Sequence, residues 1–252
     1  AVTFDPRLDG AEGNADLASG ALVLGEQRAA PTSGKARLAW RGRALTADYA
    51  LGAAGIATQQ AALAALNVSG ALRSHDNFAR MELTGDATGS GLRLGSGLDA
   101  ALAGLGQAAQ GTFAAPLLAQ LRGALLREGR ASRFTASFIH RQTGRDANLV
   151  VPQAALIGGS GQTLVALSRF QLSADGSSAP KITGNFATGG AGMPKITGRM
   201  ERSGGGALAL RMAMLEYAAG ASRLAVPELV LAQASNGALG FAGSVRLSGP
   251  LP

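Results

Sequence analysis

The sequence has no cysteine, which removes disulfides and thiolate metal sites from whatever holds this chain together. It is also poor in aromatic residues. One Trp, two Tyr and eight Phe make up 4% of the chain, while 46% of it is hydrophobic. The apolar content is therefore largely Ala, Leu and Val beside 37 Gly. That mixture lacks the large rings that anchor a compact core and points to a thin apolar surface. No apolar stretch is long enough to span a bilayer as a helix. The first residues lack the charged start and apolar middle of a signal peptide, so the chain is expected to be a fragment with its address signal upstream. Dense basic runs are missing too. The 23 Lys and Arg outnumber 16 acidic residues, giving a net charge of +7. They are scattered singly, as at Arg80, Arg93, Arg169 and Arg223, with few rings to stack bases. Nucleic acid is therefore not expected as a partner. The charge reads as a solvated face that suits acidic headgroups.

What the sequence does have is alternation with a period of two, the mark of strands with one covered face and one wet face. Ala36, Leu38 and Trp40 interleave with Lys35, Arg37 and Arg41, and Leu45, Ala47, Tyr49 and Leu51 continue the pattern. Ala79, Met81, Leu83 and Gly85 alternate with Arg80, Glu82, Thr84 and Asp86. Leu208, Leu210, Met212 and Met214 alternate with Ala209, Arg211, Ala213 and Leu215 until Gly220, which predicts a hairpin or meander there. One segment has a different period. Phe113, Leu117, Leu121 and Leu125 recur every fourth residue, with Pro116 and Gly129 as boundaries, so residues 116–128 read as an amphipathic helix. Residues 99–110 are open between a weaker helix and a loop, and residues 53–66 lean toward strand.

Two internal echoes stand out. LVVPQAAL from Leu149 matches LAVPELVL from Leu224, and PKITGNF from Pro180 precedes PKITGRM from Pro194. Such echoes point to repeated β-meander units, because each unit alone buries too little surface. The organisation expected is a β-meander segment over 1–97, a helical insertion over 98–130, and β-meander repeats over 131–252.

Nothing converges on a catalytic or metal centre. His75 and His140 are far apart and carry no metal-ligand spacing. Ser178 and Lys181 spell Ser-x-x-Lys without its companion motifs. The tracts Gly189, Gly190, Ala191, Gly192 and Gly158, Gly159, Ser160, Gly161 read as turns. No enzymatic activity, cofactor or metal is expected. The apolar strand positions are the candidates that remain. They are Leu38, Trp40, Ala79, Met81 and Leu83 in the first part. Phe134, Phe138, Leu149 and Val151 follow the helix, and Leu208, Leu210, Met212, Met214, Leu224 and Val226 complete the set. They either pack a closed core or line an open groove, with the helix bearing Phe113, Leu117, Leu121 and Leu125 as its cap.

The strings ITGNFATGGAGMPKITGRMERSGGG and LAVPELVLAQASNGALGFAGSVRLSGPLP, with LLAQLRGALLREGRASRF upstream, resemble the AsmA-like proteins of the YdbH type. The resemblance extends from about Ala79 onward. It implies a mainly β fold, an extended antiparallel sheet curved into an open groove, anchored in the inner membrane of a Gram-negative envelope. It further implies a bridge in the periplasm that carries phospholipid toward the outer membrane. The expected partners are phospholipid, an inner-membrane anchor upstream and further envelope proteins. A structural β-solenoid or adhesin-like envelope module without ligand is the alternative.

Overall fold

The computed structural model describes residues 2–4, 9–25, 27–111, 114–176, 179–190, 192–202, 208–219, 222–233 and 239–249. In chain order the first elements are β1 (Val2–Phe4), β2 (Gly10–Ser19), β3 (Leu22–Leu24), β4 (Gln27–Ala29), β5 (Thr32–Arg41), β6 (Ala44–Ala53) and β7 (Ile56–Ala57). Next come β8 (Ala61–Leu63), β9 (Ala65–His75), β10 (Arg80–Ser90), β11 (Arg93–Leu94), α1 (Ser96–Ala108) and α2 (Ala114–Gly129). The rest is β12 (Arg133–Thr143), β13 (Asp146–Ile157), β14 (Thr163–Ala174), β15 (Lys181–Thr188), β16 (Ile196–Arg202), β17 (Leu208–Ala219), β18 (Ser222–Gln233) and β19 (Leu239–Ser248).

The chain is mainly β. Fourteen strands form one antiparallel sheet in the order β1-β2-β5-β6-β9-β10-β12-β13-β14-β15-β16-β17-β18-β19, and the two end strands do not pair with each other. The sheet is an open meander. Its two rims differ. At one, which we call the hairpin rim, strands turn directly into their neighbours, as at 42–43, 76–79 and 144–145. At the other, the connector rim, the chain makes long excursions. Those excursions carry β3, β4, β7, β8 and β11, which pair into a second sheet of order β11-β8-β7-β4-β3, and also α1 and α2. The segment 53–66, expected as strand, holds the end of β6 and the start of β9 and, between them, two short strands, β7 and β8, that belong to this small sheet. Thr58 separates them by accepting the Gln60 and Ala61 backbone N–H groups through Oγ1.

Register defines the faces of the main sheet. Leu38 stands opposite Ala47, and the same row continues through Leu72, Leu83, His140, Leu149, Leu172 and Ile182. Residues two apart on each strand share that face, here called the inner face. Lys35, Arg37, Arg73, Arg80 and Arg141 occupy the other face and are exposed. Arg141 pairs with Glu82 at 2.6 Å and Arg41 with Glu12 at 2.9 Å across neighbouring strands. Exposed pairs of this kind contribute about 0–1 kcal/mol each, so they keep the outer face wet more than they hold the sheet.

Glycines occupy the inner-face positions where neighbouring strands leave no room for a side chain. Gly70 and Gly85 are directly opposite each other, and a Cβ at Gly70 would run into the Thr84 carbonyl oxygen. A Cβ at Gly198 would likewise run into the Phe186 ring and the Arg211 carbonyl oxygen. Aromatic rings lie over these glycines: Phe138 of adjacent β12 and Tyr49 of β6, reaching across Gly70, by Gly85, Phe170 by Gly184, Phe186 by Gly198. Each ring covers the backbone that the missing side chain leaves bare, a pairing known from edge glycines in designed sheets. The Tyr49 hydroxyl also donates to the Thr84 carbonyl at 3.2 Å, and burial pushes its pKa up.

The two sequence echoes are structural echoes. Register shifts occur in β13 between Val150 and Ala154, and in β18 between Val226 and Leu229. Pro152 and Pro227 lie at those irregularities. A proline has no N–H to offer the ladder, so it is accommodated where a bulge already interrupts it. The PKITG strings place Gly184 and Gly198 on the inner face of the neighbouring strands β15 and β16.

One helix was expected at 116–128, but there are two. The stretch left open at 99–110 belongs to α1, because its Ala and Leu residues carry the helix past Gly104 and Gly106. Arg122 of α2 clamps Asp99 of α1 through Nε at 2.6 Å and Nη2 at 3.0 Å. This ion pair lowers the Asp99 pKa and raises that of Arg122. Helix α2 opens at Ala114, so Pro116 falls in the first turn, where its missing N–H costs nothing. Its end is closed by Ser132, whose Oγ donates to the Gly129 carbonyl at 2.6 Å while accepting the Leu92 N–H at 3.2 Å. The helical insertion interrupts the chain but not the sheet. β10 and β12 pair along their full length, so the strands of 1–97 and of 131–252 belong to one sheet.

Candidate functional site

The inner face is apolar and incompletely covered. Among the described residues the buried hydrophobics are few, and apart from Ala36 and Ala47 they gather toward the connector rim. Ala124 of α2 meets Leu156, Leu164 and Met193, with Leu121 and Leu125 packed against them. Leu117 packs against Leu224 and Val226, with Ile196 and Leu229 alongside. Helix α2 therefore sits on one end of the inner face. Beyond it the face is open, and a cavity of about 450 Å³ extends over β12 to β17, lined by Phe134, Ala154, Ala155, Leu156, Val165, Leu167, Phe186, Met200 and Leu210. No charged or hydroxyl side chain contributes to this lining.

The expected lining residues fall on one face with a single exception. Leu38, Trp40, Met81, Leu83, Phe134, Phe138, Leu149, Val151, Leu210 and Met212 occupy inner-face register positions. All are half-buried except Trp40, which is 44% exposed near the hairpin rim. Leu208 and Met214 hold inner-face positions in the β17 register. Ala79 is the exception. It lies in the 76–79 turn and is exposed, because the strand begins one residue later, at Arg80. A second correction concerns Leu224 and Val226. They are 3% and 4% exposed and sealed beneath Leu117, so they belong to the closed end and not to the open surface. Of the cap residues, Leu117, Leu121 and Leu125 meet the sheet, while Phe113 lies outside the described residues.

Leu156, Val165, Leu167, Phe186 and Met200 line the cavity without having been expected there. The PKITGRM alternation, Ile196, Gly198 and Met200, carried a signal for Met200. Leu167 was hidden by a shift of register near Ser168 and Arg169, which breaks the period of two that Phe170 and Leu172 display. Arg169 there has φ +52.

The polar candidates do not converge. His75 is exposed at the outer-face end of β9, whereas His140 is on the inner face between Leu83 and Leu149. Ser178 lies outside the described residues, and Lys181 is exposed on the outer face. Residues 158–161 form a turn held by α2: Glu128 Oε2 accepts the Ser160 N–H at 2.9 Å, which depresses the Glu128 pKa. No cluster of three His, Asp or Glu side chains suited to a metal occurs among the described residues. No helix of the described residues is long and apolar enough to cross a membrane.

Compared with protein-family models, curated proteins and solved structures, the chain matches none. The site is therefore read from its own geometry.

Proposed function

We propose that this chain is a segment of a periplasmic bridge-like protein, whose open apolar trough shields phospholipid acyl chains during transport between the inner and outer membranes. One observation carries the reading: the inner face is predominantly apolar from Leu38 to Met212 and largely half-covered, while the charged side chains, Arg202 apart, are on the outer face. A large apolar face left exposed is costly unless something occupies it. An acyl chain crossing water loses about 0.8 kcal/mol per CH₂, on the order of 10 kcal/mol for one long chain. A continuous trough removes most of that cost. Leu, Ala and Met linings make no directional demand, so chains slide along them. The resemblance to AsmA-like, YdbH-type proteins supports the same reading and supplies the envelope location and the upstream anchor. The mechanism is passive shielding, with no enzymatic step and no cofactor.

Replacing Met81 and Met212 together with Asp tests it. Both hold inner-face positions, and a carboxylate there is a charge that acyl chains must pass. Lipid recovered with the purified protein, measured by mass spectrometry, is expected to fall at least about tenfold, with the far-ultraviolet circular dichroism unchanged. Unaltered lipid content in the folded double variant would overturn the reading. A wild-type chain that takes up no lipid would instead favour a ligand-free structural module.

A further inference from the structure

Among its described positions the inner face carries one Arg or Lys side chain, besides the imidazole of His140. Arg202, the last residue of β16, stands opposite Ile182 and so shares a face with Leu172, Leu149 and Leu83. Other described strand cations of the main sheet, such as Lys35, Arg73, Arg141, Lys181 and Arg211, lie on the outer face. No Asp or Glu occupies a described inner-face position on the fourteen strands. The Arg202 Nε is buried and has no hydrogen-bond partner. A guanidinium turned inward without a carboxylate is an unsatisfied donor and an uncompensated charge. The unpartnered Nε–H offers a place for an acceptor from outside the chain, and the charge it belongs to favours an anion.

What lies next to Arg202 says what kind of anion. Met200, the adjacent inner-face position on the same strand, lines the apolar cavity together with Leu210, and the cavity runs to Leu156 and Val165 below α2. From Arg202 to Ile196, where Leu117 and its neighbours close the face, is six residues. At about 3.4 Å per residue that is roughly 20 Å. The hydrocarbon of one leaflet is about 15 Å deep, half of a core of about 30 Å. A site with a cation at its polar end and a greasy channel of acyl length beyond it is built for an anionic amphiphile.

We propose that Arg202 is a headgroup anchor: it binds the phosphate of a phospholipid whose acyl chain lies along β16 toward α2, headgroup at the hairpin rim and chain end at the connector rim. Arginine suits this role because its planar fork holds two phosphate oxygens at once. The inference rests on the trough reading above and adds orientation and headgroup class to it.

The test loads the full chain from vesicles containing dioleoyl phosphatidylglycerol, dioleoylglycerol or oleate, and quantifies retained lipid by mass spectrometry. Arg202→Gln is expected to lower phosphatidylglycerol retention about tenfold, the loss of one charge-assisted hydrogen bond or more. Retention of dioleoylglycerol, which has the same chains and no phosphate, is expected to stay unchanged. Arg202→Lys keeps the charge and should restore most of the phosphatidylglycerol, which also shows that the position tolerates substitution. Equal retention of phosphatidylglycerol by Arg202→Gln and wild type overturns the anchor while leaving the trough intact. A parallel fall in dioleoylglycerol overturns it too, since Arg202 then acts on the fold. Preference of wild type for oleate over phosphatidylglycerol overturns the phosphate assignment. Failure of wild type to retain any of the three defeats the trough itself.

Discussion

The two rims of the sheet are built by different means. At the connector rim the chain leaves the sheet for long excursions, and α2 returns to seal Leu156, Leu164, Leu224 and Val226. At the hairpin rim the strands turn back at once; small inner-face residues such as Ala47 and Ser74 are buried there, but the large ones stay partly uncovered, with Trp40 at 44% and Phe78 of the 76–79 turn at 57% exposure. The contrast separates two tasks that a compact domain performs in one place. Stability concentrates at the closed end, where side chains are dry. The remainder of the inner face is held by the ladder of backbone hydrogen bonds and by glycine–ring contacts, which leaves its apolar surface free for use. A meander tolerates this arrangement because each strand is secured by its neighbours and needs no second layer over its whole length.

Two substitutions of the same kind should break this comparison most sharply. Leu164 is fully buried at the closed end, so Leu164→Ala is expected to cost about 2–5 kcal/mol of unfolding free energy. Leu83 lies half-exposed on the open part of the same sheet, and Leu83→Ala is expected to cost roughly 1 kcal/mol, part of the 1.5–3 kcal/mol of full burial. Urea denaturation measures both. Equal costs would mean that the open face is as dry as the closed end. A smaller and opposite effect is expected in α1. Gly104 is in a helix interior, and a Cβ there would meet open space, so Gly104→Ala should stabilise by about 0.5–1 kcal/mol by the same measurement. A loss instead would show that α1 has a covered face at Gly104.

Much of this architecture was legible in the residues. Period-two alternation identified the inner-face positions from Leu38 to Met212, because a strand with one wet face writes its orientation in every second residue. The fourfold spacing of Leu117, Leu121 and Leu125 identified the face of α2 that meets the sheet. Three features were not legible, each for a physical reason. The bulges at Pro152 and Pro227 shift register, so alternation counted through them puts residues on the wrong face. Leu224 and Val226 have the pattern of open lining, but α2, distant in sequence, covers them. The inward placement of Arg202 follows the Ile196, Gly198, Met200 alternation, but a cation closing an apolar run reads as the end of the pattern until the register with β15 sets it opposite Ile182. The PKITG echo looked like a repeat of strands; its purpose, glycine placed under the Phe170 and Phe186 rings, appears only when neighbouring strands are assembled.

Acid should distinguish the rims in the subtlest way. A glutamate in the last turn of a helix opposes the dipole, yet Glu128 stands there in α2. Its gain is the 158–161 turn, whose Ser160 N–H it accepts, and this contact holds its pKa below the ordinary range. Asp99 is lowered in the same sense by Arg122 between the two helices, and Asp76 by Arg80 at the hairpin rim. For each, a folded-state pKa below the unfolded one means that the stabilisation is present above the ordinary carboxylate range, about pH 4, and is lost as pH falls through the folded value. The two closed-end carboxylates tie α1 and α2 to each other and to the sheet, whereas Asp76 secures only a turn. Urea midpoints measured from pH 7 down to pH 3 should therefore fall for wild type and fall less for Glu128→Gln and Asp99→Asn. Asp76→Asn should follow the wild-type curve closely. An Asp76→Asn curve as flat as that of the closed-end variants would place acid sensitivity at the hairpin rim and remove the energetic distinction between the two ends.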